Sequence, residues 1–227
     1  MFKTQFSIYS GLFLVIFLIT SLSFAKTGKS TKADLNKDIA VKILKKYNSA
    51  EAVEMQTKKQ VTKVTLGTKT ETDGVFLYSK NKIHFSAEKP NKTEIIYNKN
   101  VWVIEYPDLE LDDKSARKVT IFDSNKAPFI KTIAELLSAP DKFFTKETLI
   151  TEKDGQLSIE SDKIISTNLK KFVVVLNTKE QITSSILLTD DLNTDTTFSI
   201  QKTDFLKTAP KNKFTYKKIK TDEILKP

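Results

Sequence analysis

Cysteine is absent from this chain, which excludes disulfides, thiolate metal sites and a cysteine nucleophile. Histidine is almost absent. His84 alone cannot build a two-histidine metal site or a redundant nucleophile–histidine relay, and inside a strand it reads as a satisfied structural residue. The five glycines form no phosphate-cradling loop, and neither a GxSxG elbow nor an HExxH helix occurs. Arginine is reduced to Arg117, so the formal charge of +9 is carried almost wholly by lysine. Nucleic-acid readers lean on arginine's bidentate fork, so nucleic acid is not expected as a partner. Dispersed lysines read as a solvated surface, with attraction to anionic headgroups as a second role. The acidic groups Asp108, Glu110, Asp112 and Asp113, and Asp190, Asp191 and Asp195, lack the glycine and terminal glutamate of a calcium loop and read as solvated turns. No metal, no cofactor and no catalytic residue is expected, and the chain is not read as an enzyme.

Only the N-terminus carries a long apolar run. Lys3 is a minimal basic region, Gly11 to Thr20 an apolar core, and Ser23-Phe24-Ala25 places small residues where a signal peptidase cuts. Residues 1–25 therefore read as a cleaved signal peptide, leaving 227 − 25 = 202 residues with charge 9 − 1 = +8. Retention as an anchor is the alternative, since Phe6 to Ala25 is uncharged and about long enough to span a bilayer. Against it, Lys26, Lys29 and Lys32 oppose the positive-inside bias. Residues 26–33 read as a flexible start and 34–227 as one domain, large enough to bury roughly 70% of its unfolded surface.

The richest stretch runs from Gly74 to Leu109. It predicts antiparallel strands at Gly74–Ser79, Lys82–Ser86, Lys92–Tyr97 and Val101–Tyr106, separated by turn pieces at Lys80-Asn81, around Pro90 and at Asn98-Lys99-Asn100. Alternation puts Trp102, Ile104 and Tyr106 on one face of the last strand. Upstream, Asp34 to Tyr47 predicts an amphipathic helix with Leu35, Ile39, Ile43 and Tyr47 on its apolar stripe, and Ala50 to Leu66 a long strand. Downstream, Lys118 to Phe122 predicts a strand. Pro128 starts a helix with Ile130, Ile133, Ala134 and Leu137 on one stripe, and Ser138-Ala139-Pro140 ends it. A short turn at Asp141 to Phe144 follows. Strands are then expected at Gln156–Glu160, Phe172–Leu176, Ile182–Leu188, Thr196–Gln201 and near Phe214–Tyr216.

This order resembles the LolA family of periplasmic lipoprotein carriers. The residues that carry the resemblance are Gly74, Lys80 to Phe85, Pro90, Asn98 to Asn100, Val101-Trp102, Tyr106-Pro107, the Pro128-Phe129-Ile130 helix and, more weakly, Lys213 to Tyr216. The family's Pro-Gly after that last piece is missing. The resemblance implies a strongly curved antiparallel sheet forming an incomplete, half-open β-barrel, its concave side covered by helices. It also implies a carrier that binds the acyl chains of lipoproteins. Its partners would be an inner-membrane ABC-type lipoprotein-releasing complex and an outer-membrane lipoprotein receptor. Lacking a lipid-bearing cysteine, the chain is expected to be a soluble periplasmic monomer of a Gram-negative bacterium rather than the receptor. The aromatics Phe76, Tyr78, Phe85, Tyr97, Trp102, Tyr106 and Phe198, with Ile95, Ile104 and Ile200, are candidates to line an acyl cavity, although core packing explains most aromatics. Phe129, Ile130, Ile133, Leu137 and Phe143 are the candidate lid. Family members pin the lid with an arginine in the second strand. No arginine occurs there, and Lys80 or Lys82 is the nearest counterpart. The alternative function is a periplasmic lipid- or protein-binding module with the same fold and no role in lipoprotein transport.

Overall fold

The computed structural model describes residues 31–89, 91–107, 116–145, 148–161 and 169–225. The expected signal segment, the mature start up to residue 30, Pro90 and the acidic stretch from Asp108 to Asp113 lie outside the described residues.

The chain opens with α1 (Lys32–Ser49), two residues longer at each end than the apolar stripe alone predicts. A capping box explains the start: the Thr31 hydroxyl accepts from the Asp34 N–H at 3.2 Å, and the Asp34 carboxylate accepts from the Thr31 N–H at 3.0 Å. Ala40, Ile43, Leu44 and Tyr47 face inward together with Asn36, while Leu35 is 55% exposed. The buried stripe is thus rotated from the expected one, because the following turn, not Leu35, sets the phase.

Strands follow as β1 (Ala52–Lys63), β2 (Thr68–Ser79), β3 (Lys82–Ala87), β4 (Thr93–Asn98), β5 (Asn100–Glu105) and β6 (Lys118–Asp123). Then come α2 (Pro128–Ser138) and α3 (Pro140–Phe143), and after them β7 (Leu149–Lys153), β8 (Gln156–Ser161), β9 (Leu169–Asn177), β10 (Ile182–Asp190), β11 (Thr194–Leu206) and β12 (Glu223–Leu225). Two-residue and one-residue turns build the central hairpins. Lys80 and Asn81 both take positive φ, 46° and 65°, as a tight primed turn requires, and Lys99 does so at 68°. Gly74 lies inside β2 rather than opening it, and a Cβ there would sit 2.7 Å from the Phe85 ring and the Ser86 carbonyl. That close approach is the reason for glycine.

All twelve strands belong to one sheet, in the order β12-β6-β5-β4-β3-β2-β1-β11-β10-β9-β8-β7. Neighbours are antiparallel except β12, which adds to β6 in parallel. The first and last strands of this order do not pair, so the sheet is strongly curved but unclosed, as the expectation of an incomplete barrel has it. α1 spans much of that curve. Lys32 bridges to Glu152 on β7 at 3.2 Å, and at the other end the Tyr47 hydroxyl accepts from the Thr183 N–H of β10 at 2.8 Å.

Three details depart from the pattern reading. β7 carries no clear alternation and is missed, because four of its five residues are exposed. β10 has a register shift between Thr183 and Ser185, so Thr183, Ile186 and Leu188 are buried and Ile182 is not. Phe214 to Tyr216 is not a strand. It belongs to a loop that crosses the outer face and ends in β12.

Candidate functional site

Cross-strand register builds the concave face in rows. One row runs Val101, Tyr97, Ile83, Tyr78, Val53; the next runs Val103, Ile95, Phe85, Phe76, Met55. Phe198 joins from β11, edge-on to Phe76 and Phe85 with ring centroids 6.2 and 6.0 Å apart. Ile200 packs on the same cluster. Seven of the ten cavity candidates therefore share one surface: Phe76, Tyr78, Phe85, Ile95, Tyr97, Phe198 and Ile200.

Trp102, Ile104 and Tyr106 do not. They stand on the convex face with Ile96, Val119 and Tyr216, and Val101 and Val103 point inward in their place. The reason is parity. The turn centred on Lys99 pairs Tyr97 with Val101 and Ile96 with Trp102, so Tyr97 and Trp102 cannot share a face. That signal was present in the Asn98-Lys99-Asn100 turn. Val53, Met55, Leu169, Phe172 and Leu188, all absent from the candidates, also belong to the inner cluster.

The lid candidates converge as a group. Ile130, Ile133 and Leu137 of α2 are essentially fully buried against the concave cluster, Phe129 is half-buried there, and Phe143 of α3 packs on Phe172 at 5.0 Å. α2 is eleven residues long, its first residue is proline, and no side chain caps its N-terminus. No acidic residue occupies its first turn and no basic residue its last. A helix this short and uncapped owes its stability to burial of its stripe rather than to itself. Its side-chain polar contacts are local: Lys131 donates to Asn125 at 3.0 Å and Ser138 to the Glu135 carbonyl at 3.3 Å. Among the described residues no hydrogen bond or ion pair joins an α2 side chain to the sheet, and the buried Thr132 hydroxyl has no partner.

The latch expectation is therefore corrected. Lys80 pairs with Glu51 at 2.9 Å, at the start of β1, and Lys82 is exposed at the β3 end. Among the described residues neither forms a hydrogen bond or ion pair with α2. At the N-terminal end of the lid a pocket of about 210 Å³ opens, lined by Phe129, Leu169, Leu188, Asp190, Asp191, Thr194 and Thr196.

The convex face has different chemistry. Arg117 grips the fully buried Asp222 carboxylate with Nε and Nη2 at 2.7 and 2.8 Å, and Tyr216 and the Ile219 N–H donate to the same carboxylate at 2.6 and 2.9 Å. Arg117 and these donors hold Asp222 well below the usual carboxylate range, while burial and the Asp222 hydrogen bond push the Tyr216 phenol up to about 12. Beside them His84 Nε2 lies 3.3 Å from Glu94, which also accepts from the Tyr106 hydroxyl at 2.8 Å. The His84 hydrogen bond, aided by Tyr106, draws Glu94 down to about 2 against the opposing effect of burial. Trp102 stacks on Tyr216 at 6.3 Å. The Arg117–Asp222 pair, the Trp102–Tyr216 stack and the Asn98 side chain, which donates to the Phe214 carbonyl at 3.2 Å, fasten the 207–225 segment across the sheet. Among the described residues no group of three or more His, Asp or Glu is placed to hold a metal ion, and no helix is long and apolar enough to cross a membrane.

No protein-family model and no curated protein sequence matches the chain. Solved structures do. It is similar to an uncharacterized conserved protein from Thermus thermophilus, at 6% identity and TM-score 0.46, over 87% of this chain and 100% of that one. It is similar to a LolA superfamily protein from Nitrosomonas europaea, at 11% identity and TM-score 0.39, over 80% and 97%. A putative outer membrane lipoprotein-sorting protein domain from Vibrio parahaemolyticus gives 10%, 0.39, 80% and 97%. At TM-scores below 0.5 these likenesses carry no functional weight.

Proposed function

We propose that this chain is a non-catalytic carrier that shelters the acyl chains of lipoproteins on its concave face while they cross the periplasm. One observation carries the reading. The helix that covers the concave apolar cluster meets it through Ile130, Ile133 and Leu137, and among the described residues no hydrogen bond or ion pair joins its side chains to the sheet. Apolar contact is non-directional, so fatty tails can replace Ile130, Ile133 and Leu137 at similar free energy. Each methylene left in water costs about 0.8 kcal/mol, which makes unshielded transit of a long chain prohibitive. The carrier makes and breaks no covalent bond; it needs a surface comparable in depth to its donor and its acceptor. In this scheme an inner-membrane ABC-type complex loads the chain and an outer-membrane receptor unloads it.

The test incubates the purified protein with inner membranes that bear the releasing complex and an acylated lipoprotein. A soluble one-to-one complex is expected, none with the unacylated form, and less with Ile133→Glu, which puts a charge on the buried stripe. Trp102→Glu, on the convex face, is expected to leave release unchanged. Recovery of no soluble complex with the native chain overturns the proposal.

A further inference from the structure

Lys59 stands where a cation is not expected. It lies on the concave face of β1, in the alternation Val53, Met55, Thr57, Lys59, and is paired across the sheet with Phe198. Its Nζ sits 5.9 Å from the Phe85 ring centroid. Among the described residues no carboxylate lies within ion-pair distance of it, although the next lysine along, Lys58, bridges to Glu71 on the outer side at 3.6 Å. The ammonium is half-buried, and burial alone pulls its pKa down. Keeping an unpaired charge there is costly unless something compensates it.

Its position along the strand suggests what does. On the Met55 side the face is fully covered, with Phe76 and Phe85 buried. On the other side cover ends: β2 from Thr68 to Glu71 is exposed, the facing residues Val61, Thr70, Thr194 and Thr196 are uncharged, and the next cation on this face, Lys63, is exposed at the strand end. Lys59 thus marks the border between a dry interior and an open shelf. On this face Asp190 lies two strands over, four residues along β10 from Ile186, the partner of Phe198, roughly 16 Å from Lys59 across the sheet. It is occupied in accepting from the Leu192 and Thr194 N–H groups. The pocket at Phe129, Leu188 and Thr196 adjoins the same shelf, with Asp190 and Asp191 in its wall, so Lys59 is the cationic end of this region.

We propose that Lys59 is the counter-ion for the head group of an anionic amphiphile, a long-chain carboxylate or phosphate ester, whose tail lies beneath α2. This rests on the reading of the concave face as an acyl-binding surface, and adds that the site discriminates by head-group charge. A charge-assisted contact at a half-buried site supports a preference of about tenfold.

The experiment titrates the purified protein, below the critical micelle concentrations, with oleate, oleoyl lysophosphatidate and the neutral monoolein. At least one of the acids is expected to bind about tenfold more tightly than monoolein, and which one names the head group. Lys59→Met is expected to erase that preference, leaving the acids no tighter than monoolein, while Lys59→Arg retains it. Equal binding of all three by the native protein, or a preference that survives Lys59→Met, overturns the inference alone. Binding of none overturns the acyl-binding reading beneath it.

Discussion

On the concave face α2 is held by Ile130, Ile133 and Leu137, with no side-chain hydrogen bond or ion pair to the sheet among the described residues; on the convex face the 207–225 segment is held by Arg117, Asp222, Tyr216 and their hydrogen bonds. The two covers lie on the same strands and differ in what would be lost by lifting them. Lifting α2 exposes apolar area, which another apolar body can cover again. Lifting the convex segment parts Asp222, which it carries, from Arg117 beside β6, and no apolar body can replace that contact. One cover is exchangeable and the other is a fixture. α1 falls with the fixture, since Tyr47 and Lys32 tie it to the sheet.

The largest expected effect breaks the fixture. Arg117→Met takes away the cation and leaves the Asp222 carboxylate only its bonds from Tyr216 and the Ile219 N–H, a loss on the order of 3 kcal/mol. Chemical denaturation should show it, and limited proteolysis should reach residues 207–220. Uptake of a fluorescent acyl probe by the remaining folded protein should be unchanged. If uptake changes as much as stability does, the two covers are not independent.

Leu137→Ala tests the exchangeable cover. Removing a fully buried leucine from α2 costs about 2–4 kcal/mol. Because a ligand must displace this helix, part of that loss should return as tighter probe binding. Weaker binding would mean that the lid contributes to the bound state rather than competing with it.

Acid sharpens the comparison at intermediate size. Glu94 titrates near 2 in the folded chain against an ordinary value of 4.5. A carboxyl depressed on folding contributes stability above its unfolded value, and that stability is lost as pH falls through the folded one. The loss should therefore develop between about pH 4.5 and 2, on the order of 2 kcal/mol, and Glu94→Gln should flatten it. Asp222 adds in the same direction, starting from 3.8. Asp222 ties the convex segment, and among the described residues no α2 carboxylate forms an ion pair, so the segment should loosen in acid before the lid does, as proteolysis at stepped pH would read.

Much of the exchangeable cover was legible in the residues. Pro128 with Ile130, Ile133 and Leu137 is a short-range pattern with a 3.6-residue period, and the Lys80-Asn81 and Asn98-Lys99-Asn100 turns fix the central hairpins. The convex fixture was not legible. Its partners are 105 residues apart in the case of Arg117 and Asp222, and no local period links them. Trp102, Ile104 and Tyr106 were misplaced because two apolar faces on one sheet look alike until turn parity separates them. β7 was missed because an exposed edge strand carries no alternation.

The smallest expected effect concerns Lys80. An arrangement that pinned the lid from this position would make Lys80→Ala a strong variant, raising probe uptake as the latch opened. The structure gives Lys80 a different partner, Glu51, in a pair more than half exposed on both sides. Such pairs contribute within about 0.5 kcal/mol and are screened by salt. Lys80→Ala should therefore leave stability and uptake nearly unchanged at about 0.15 M salt. A several-fold rise in uptake would show that α2 is latched after all, and would move the lid from the exchangeable class toward the fixed one.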